Sequence, residues 1–217
     1  MYLVLLGPPG SGKGTQAQRL IQRFDIPHVS TGAVFRAAFD KGLASGIEAK
    51  KYMDAGTLVP DELVLDVTRE RLSQPDCSRG FILDGFPRTL LQGEELEMFM
   101  SDVGKKLTKV VHIVIPEAKL LERAIGRRFC KVCGTTYHIT FKPPIREGFC
   151  DKDGGELFQR DDDTEETVKR RIVEYRKLTW PLAEYYHMKR IYVPVDGLQS
   201  ISKVFADITT VLKMDSL

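Results

Sequence analysis

The chain has 217 residues, 42% hydrophobic and 29% charged, with 32 Lys and Arg against 30 Asp and Glu. That length suits one compact domain with a sizeable core, and ordinary apolar content without a low-complexity tract argues against disorder. A net charge of +2 with no basic or acidic block gives no basis for bulk attraction to nucleic acid or a membrane surface.

Tyr2 to Leu6 is a continuous apolar run ending at Gly7, which predicts a buried strand of a parallel sheet. It is among the longest such runs and far too short to span a bilayer, and no basic region precedes a long apolar stretch. A signal peptide is therefore not expected, and a cytoplasmic monomer is. A glycine-rich turn leads into an amphipathic helix over Lys13 to Phe24. Ser30 and Thr31 are good caps for a helix over Gly32 to Asp40. Further helices are predicted over Gly46 to Asp54 and from Pro60 to Leu72. Phe81 to Asp84 is the second strand, followed by a helix over Thr89 to Met100. Lys109 to Ile115 is the third, followed by a helix over Pro116 to Gly126. From Arg127 to Asp163 the helical period disappears, and Pro143-Pro144, several glycines and three cysteines mark a turn-rich insertion. Helical periodicity resumes from Thr164 to His187 behind a capping signal at Thr164-Glu-Glu-Thr167. Ile191 to Val195 is the last strand and Ile201 to Leu212 the closing helix. This alternation predicts an α/β fold, a parallel sheet flanked by helices on both faces.

Gly7-Pro-Pro-Gly10-Ser11-Gly12-Lys13-Gly14-Thr15 fits the G-x-x-x-x-G-K part of the phosphate-binding loop, between a strand and a helix. Glycines let successive backbone N–H groups turn toward one anion, and the helix N-terminus adds a favourable dipole. Lys13 supplies a mobile charge for the terminal phosphates. Gly14 stands where the general motif has a hydroxyl that holds Mg²⁺, so direct ligation from that position is excluded.

Gly-x-x-Gly-x-Gly-Lys-Gly-Thr resembles the loop of nucleoside monophosphate kinases, and the resemblance extends over nearly the whole chain. Ser30-Thr-Gly32 with Arg36, Gly56-Thr-Leu-Val-Pro-Asp61, Asp84-Gly-Phe-Pro-Arg88-Thr and Gly126-Arg-Arg128 resemble segments of the adenylate kinase family. So do Asp161-Asp-Asp163, Glu165-Glu-Thr167 and Arg170-Arg171. The order and spacing fit the long, metal-carrying bacterial form.

The resemblance implies a P-loop NTPase-like core over 1–29, 60–126 and 164–217, a helical AMP-binding insertion over 30–59, and a small zinc-stabilised lid over 127–163. It implies Mg²⁺-dependent transfer, ATP + AMP = 2 ADP, with no nucleic-acid or membrane partner. Such transfer needs two anions held in line with water excluded, and arginines suit that work. The implied catalytic set is Lys13, Asp84, Arg88, Arg127, Arg160 and Arg171. The ATP side adds Gly10, Ser11, Gly12, Gly14, Thr15, Arg123, Thr136, Tyr137 and Gln199, with Arg123 over the adenine. Arg123 and Arg127, four apart, would share a helix face. The AMP side is Thr31, Arg36, Thr57, Leu58, Val59, Gly85, Phe86, Pro87, Arg88 and Gln92, with Arg160 and Arg171. Gln92 would read the base, since a carboxamide offers a donor beside an acceptor. Ala33 departs from the Asp usual after Ser-Thr-Gly in such chains. A GTP:AMP phosphotransferase, or a kinase of another nucleoside monophosphate, is the alternative.

Cys130-Lys-Val-Cys133 and Cys150-Asp-Lys-Asp153 form a C-x₂-C…C-x₂-D pattern with sixteen residues between the halves. Two tight ligand pairs on facing turns suit a tetrahedral zinc site, closed by four protein ligands and so structural. His138 competes with Asp153 for the fourth place; the paired spacing and the resemblance favour Asp153. Free thiols or a Cys130–Cys133 disulfide are the other readings, and a zinc ribbon binding nucleic acid is a rival from a different class. Cys77 stands apart. His28, His112 and His187 read as structural, and Trp180 with Tyr175, Tyr185 and Tyr186 as core packing.

Overall fold

The computed structural model describes residues 1–214. β1 (Tyr2–Leu6) leads into α1 (Lys13–Phe24), and β2 (His28–Ser30) runs directly into α2 (Thr31–Asp40). α3 (Ala44–Ala55) and α4 (Asp61–Leu72) precede β3 (Phe81–Asp84) and α5 (Leu90–Asp102). β4 (Lys109–Val114) and α6 (Leu120–Ile125) are followed by three short strands, β5 (Arg127–Cys130), β6 (Thr136–His138) and β7 (Leu157–Phe158). α7 (Glu165–Glu174), α8 (Pro181–Met188), β8 (Tyr192–Asp196) and α9 (Ile201–Met214) come last.

β1 is the middle strand of a five-stranded parallel sheet ordered β2-β3-β1-β4-β8. Its side chains alternate between two cores. Val4 and Leu6 pack with Leu96 of α5 and Leu182 of α8; Leu3 and Leu5 pack with Leu20 of α1 and Ile208 of α9. A strand covered on both faces needs the unbroken apolar run that the sequence has. The chain winds to one side of β1 for β2 and β3 and to the other for β4 and β8. The carboxyl ends of these strands therefore open onto a crevice at the switch in winding. Among the described residues no helix is long and apolar enough to cross a membrane.

Several elements differ from expectation for local reasons. β2 was not predicted: three residues after a proline are too few to show alternation. The helix predicted over Thr164 to His187 starts as expected, with the Thr164 hydroxyl accepting from Thr167 N. It is then interrupted by a π-helical turn over Tyr175–Thr179. Pro181 has no N–H for the carbonyl of Lys177, and Trp180 N donates instead to Tyr175 O at 2.8 Å, five residues back. This leaves Trp180 50% exposed, whereas Tyr186 is fully buried as predicted. α6 ends at Ile125, so Arg123 and Arg127 do not share a helix face; Arg127 begins β5. The 127–163 stretch, read as turns, holds a three-stranded antiparallel sheet ordered β6-β5-β7.

α7 closes off α3. The last carbonyls of α3 lack helical donors, and α7 supplies them: Arg171 Nη2 reaches Met53 O at 3.0 Å, Thr167 Oγ1 reaches Asp54 O at 3.4 Å and Arg170 Nη1 reaches Ala55 O at 3.3 Å. α2 and α3 meet at Gly46, where a Cβ would lie 2.1 Å from Phe39 N and 2.4 Å from Ala38 C. Backbone there cannot yield as a flexible side chain would. Gly46→Ala is expected to cost about 1–3 kcal/mol in urea unfolding; an unchanged midpoint would show that the helix pair can spread without cost.

Candidate functional site

The turn after β1 passes close to α6. Gly10 has φ 81°, and a Cβ on it would lie 2.7 Å from Leu120 O, so the approach requires glycine. Lys13 Nζ donates back to Gly7 O at 2.7 Å and Pro8 O at 3.1 Å. Burial, opposed by Asp84 and reinforced by Arg88 and Arg127, lowers its pKa from 10.5 to about 8. The Ser11 hydroxyl is buried with no protein partner, and Gly12, Gly14 and Thr15 continue the same wall. Asp84 ends β3 beside this loop. His28 Nε2, on neighbouring β2, lies 3.4 Å from Asp84 Oδ2. Burial would raise the Asp84 pKa, but His28 and Lys13 hold it below the ordinary value. His28 thus has a partner that its isolated place in the sequence did not suggest.

Five arginines converge across the crevice. Arg88 is braced at both ends, its Nε donating to Gly85 O at 2.7 Å while Thr179 Oγ1, on the π turn, donates to Arg88 O at 2.9 Å. Arg127 makes a two-pronged bond to Asp163, at 2.6 and 3.1 Å. Arg171 hydrogen-bonds Asp162, and Arg36 approaches the same carboxylate at 3.7 Å. Arg160 and Arg127 both lie against the ring of Phe129, at 3.5 and 5.0 Å from its centre. Burial and neighbouring cations lower the pKa of Arg88 to about 10 and that of Arg160 to about 9. Asp162 and Asp163 are almost wholly buried. The sequence marks them as part of a segment that resembles the family, without showing which cations they meet.

These groups line one cleft of about 1630 Å³. On one side Arg123 ties the loop to the turn after β8, donating to Gly10 O at 3.1 Å and Gly197 O at 3.0 Å. Gln199 is nearby, its amide donating to Asp196 O and Asp207 Oδ2. On the other side Thr31 Oγ1 donates to Gly85 O at 3.0 Å, and Thr57, Leu58, Val59, Pro87 and Gln92 form the wall. Phe86 departs from expectation. Its ring is 1% exposed and packs in the core beneath α5, as an apolar side chain beside a strand end should.

Thr136 and Tyr137 line the edge of the cleft on β6. The Tyr137 hydroxyl, however, is turned into the cysteine cluster, accepting from Asp151 N at 2.8 Å and lying 3.4 Å from Cys150 Sγ. The ligand atoms of Cys130, Cys133, Cys150 and Asp153 all lie within 4.8 Å of one another. Cys133 and Cys150 sulfurs are 3.6 Å apart and unbonded, and Cys130 Sγ is 3.3 Å from Asp153 Oδ1. Tetrahedral thiolate sites hold neighbouring ligand atoms about 3.5–3.8 Å apart, so the four donors fit one metal ion. His138 is not in the cluster; its Nδ1 accepts from Thr140 N and Phe141 N. Cys77 is buried far along the chain and receives Arg71 Nη1 at 3.1 Å.

Lys13 loses its proton near pH 8 when folded and near 10.5 when unfolded. Between these values the unfolded chain binds more protons, so the Lys13 contribution to stability rises with pH. The stability advantage of Lys13→Met over the unchanged chain is expected to shrink by roughly 2 kcal/mol between pH 7 and 9.5. Urea unfolding at both values checks this, and a pH-independent difference would mean that Lys13 keeps its proton.

The adenylate kinase family profile matches residues 5–191. Curated relatives include adenylate kinases of Desulfitobacterium hafniense strain Y51, 52% identical over 213 residues, and Bacillus subtilis strain 168, 50% identical over 212, each alignment covering 98% of both chains. Another from Clostridioides difficile strain 630 is 51% identical over 212 residues, again with 98% of both chains covered. A match that takes in the loop, the arginine-lined cleft and the cysteine cluster, at half identity from end to end, makes this chain a member of the adenylate kinase family.

Proposed function

We propose that the chain catalyses reversible phosphoryl transfer, ATP + AMP ⇌ 2 ADP, as a monomer in the cytoplasm. The observation that carries this reading is one cleft whose lining includes the cationic side chains of Lys13, Arg36, Arg88, Arg127, Arg160 and Arg171. At about 1630 Å³ it exceeds the 300–1,000 Å³ usual for one small ligand, leaving room for a donor and an acceptor. Membership of the adenylate kinase family fits this better than a GTP-dependent alternative.

In this reading Lys13 leaves the carbonyls of its own loop for the donor's terminal phosphates, a stronger, charged acceptor. The buried Ser11 hydroxyl and the loop N–H groups complete that cradle. Arg123 covers the donor base, with Thr136, Tyr137 and Gln199 at its rim. Arg36 and Arg88 hold the acceptor phosphate, so that an oxygen of AMP attacks the terminal phosphorus as the bond to the departing ADP oxygen breaks. Arg127, Arg160 and Arg171 neutralise charge on the group in flight. Mg²⁺ would screen the donor phosphates and would be oriented through water by Asp84. The 30–59 and 127–163 segments are the acceptor-binding insertion and lid, and zinc on Cys130, Cys133, Cys150 and Asp153 crosslinks a lid too small to bury a core of its own.

A coupled assay is expected to show ADP formed from ATP plus AMP, and none would refute the reading; a panel of GTP, CMP and UMP tests the alternative. Arg88→Ala is expected to lower kcat by about a hundredfold or more with circular dichroism unchanged. Elemental analysis is expected to find zinc at about one per chain, with its removal by a chelator lowering Tm by roughly 5–10 °C. Metal-free protein of unchanged Tm would remove zinc from the structure's support.

A further inference from the structure

Gln92 lies in the wall of the acceptor side, and both ends of its carboxamide have internal partners. Nε2 donates to Asp61 Oδ1 at 2.7 Å, and Oε1 accepts from Arg88 N at 2.7 Å. An amide nitrogen carries two hydrogens and its oxygen two lone pairs, so one donor and one acceptor remain for the cleft. The two internal partners cannot exchange roles, because a peptide N–H only donates and a carboxylate only accepts. Turning the amide over would set donor against donor and acceptor against acceptor. Asp61 is itself held: its other oxygen accepts from Thr89 Oγ1 at 3.1 Å, and it stands in the first turn of α4, where the helix N-terminus favours negative charge. With 1% of its surface exposed, Gln92 has no room to swing.

We propose that Asp61 is a specificity-determining residue: by fixing the polarity of the Gln92 carboxamide it admits a 6-amino purine as acceptor and rejects a 6-oxo purine. This rests on the reading of the chain as an ATP:AMP phosphotransferase. Adenine places an N–H donor at position 6 beside a bare ring nitrogen, which accepts. A 6-oxo purine places a carbonyl acceptor at position 6 beside a ring N–H, so the order is reversed at the same two places. A carboxamide of fixed polarity matches one order, and the other buries unpaired polar groups. In that reading the Arg88 side chain holds the acceptor phosphate while its N–H holds Gln92, which ties the carboxamide to the phosphate site.

The test compares kcat/KM for AMP and IMP in the unchanged chain, in Asp61→Asn and in the double variant Asp61→Asn/Gln92→Glu. The single change keeps the shape but removes the acceptor-only partner. It is expected to narrow the AMP-over-IMP preference by about tenfold, chiefly through KM for AMP with kcat within about twofold, the worth of one charge-assisted hydrogen bond. A preference ratio left in place, even with a lowered Tm, would reduce Asp61 to packing and overturn the proposal. The double variant keeps net charge, reverses the bond between the two side chains and leaves the bond from Arg88 N as it is, so it provides a folded protein if the single one is unstable. Its pocket side has lost an N–H, and kcat/KM for AMP is expected to fall about tenfold or more; an unchanged value overturns the proposal. If the unchanged chain turns over no AMP, the functional reading itself fails and takes this one with it, a result separable from any variant's.

Discussion

The rest of the molecule depends on holding like charges together. One lysine and five arginines face one partly buried cleft, where burial, reinforced by the neighbouring cations, pulls Lys13 to a pKa of about 8 and Arg160 to about 9. Confinement of this kind would drive the side chains apart unless acceptors were built in beside them. The fold supplies two sorts. Carboxylates at Asp84, Asp162 and Asp163 take part of the charge, and backbone carbonyls at Gly7, Pro8, Gly85 and Met53 take individual N–H groups. Neither sort neutralises the cleft fully, so a phosphate has positive charge left to meet.

The same contacts link parts of the chain that are remote in sequence. Asp162, at the end of the proposed lid, faces both Arg36 of α2 and Arg171 of α7. α7 in turn receives the carbonyl end of α3. The 30–59 segment, the 127–163 segment and the sheet-bound core therefore share one electrostatic junction.

Further from the cleft, supports fix what the arginines cannot fix for themselves. The π turn exists because Pro181 deprives the preceding turn of a donor, and it places Thr179 on the Arg88 carbonyl and Tyr175 on His112. His112 lies between two hydroxyls, with Nδ1 2.8 Å from Tyr192 and Nε2 2.6 Å from Tyr175. Burial, with the charge of Lys13, lowers its pKa to about 4, so it stays neutral and serves as a hydrogen-bonded spacer behind the phosphate loop. Asp61 and Arg88 N hold the two ends of the Gln92 carboxamide in a comparable way.

What the sequence determined by itself was whatever local pattern carries. The apolar run at Tyr2–Leu6 required a strand buried on both faces, the glycines before Lys13 required an anion-binding turn, and the paired spacing of Cys130, Cys133, Cys150 and Asp153 brought four donors together. The first two follow from neighbours within a few residues, and the third from two such pairs with sixteen residues between them. What only the tertiary structure decided was which polar groups answer which. His28 reads alone until β2 pairs with β3 and brings it to Asp84; Asp162 and Asp163 read as part of a family-like segment, and only the fold shows which arginines they meet. Tyr137 reads as a rim residue until its hydroxyl is seen against Cys150, and Asp61 as a helix-opening acid until Gln92 is found on it. Most of those pairings span tens of residues, and a buried charge is tolerated only where the folded chain delivers its partner, a condition that no local window of sequence contains.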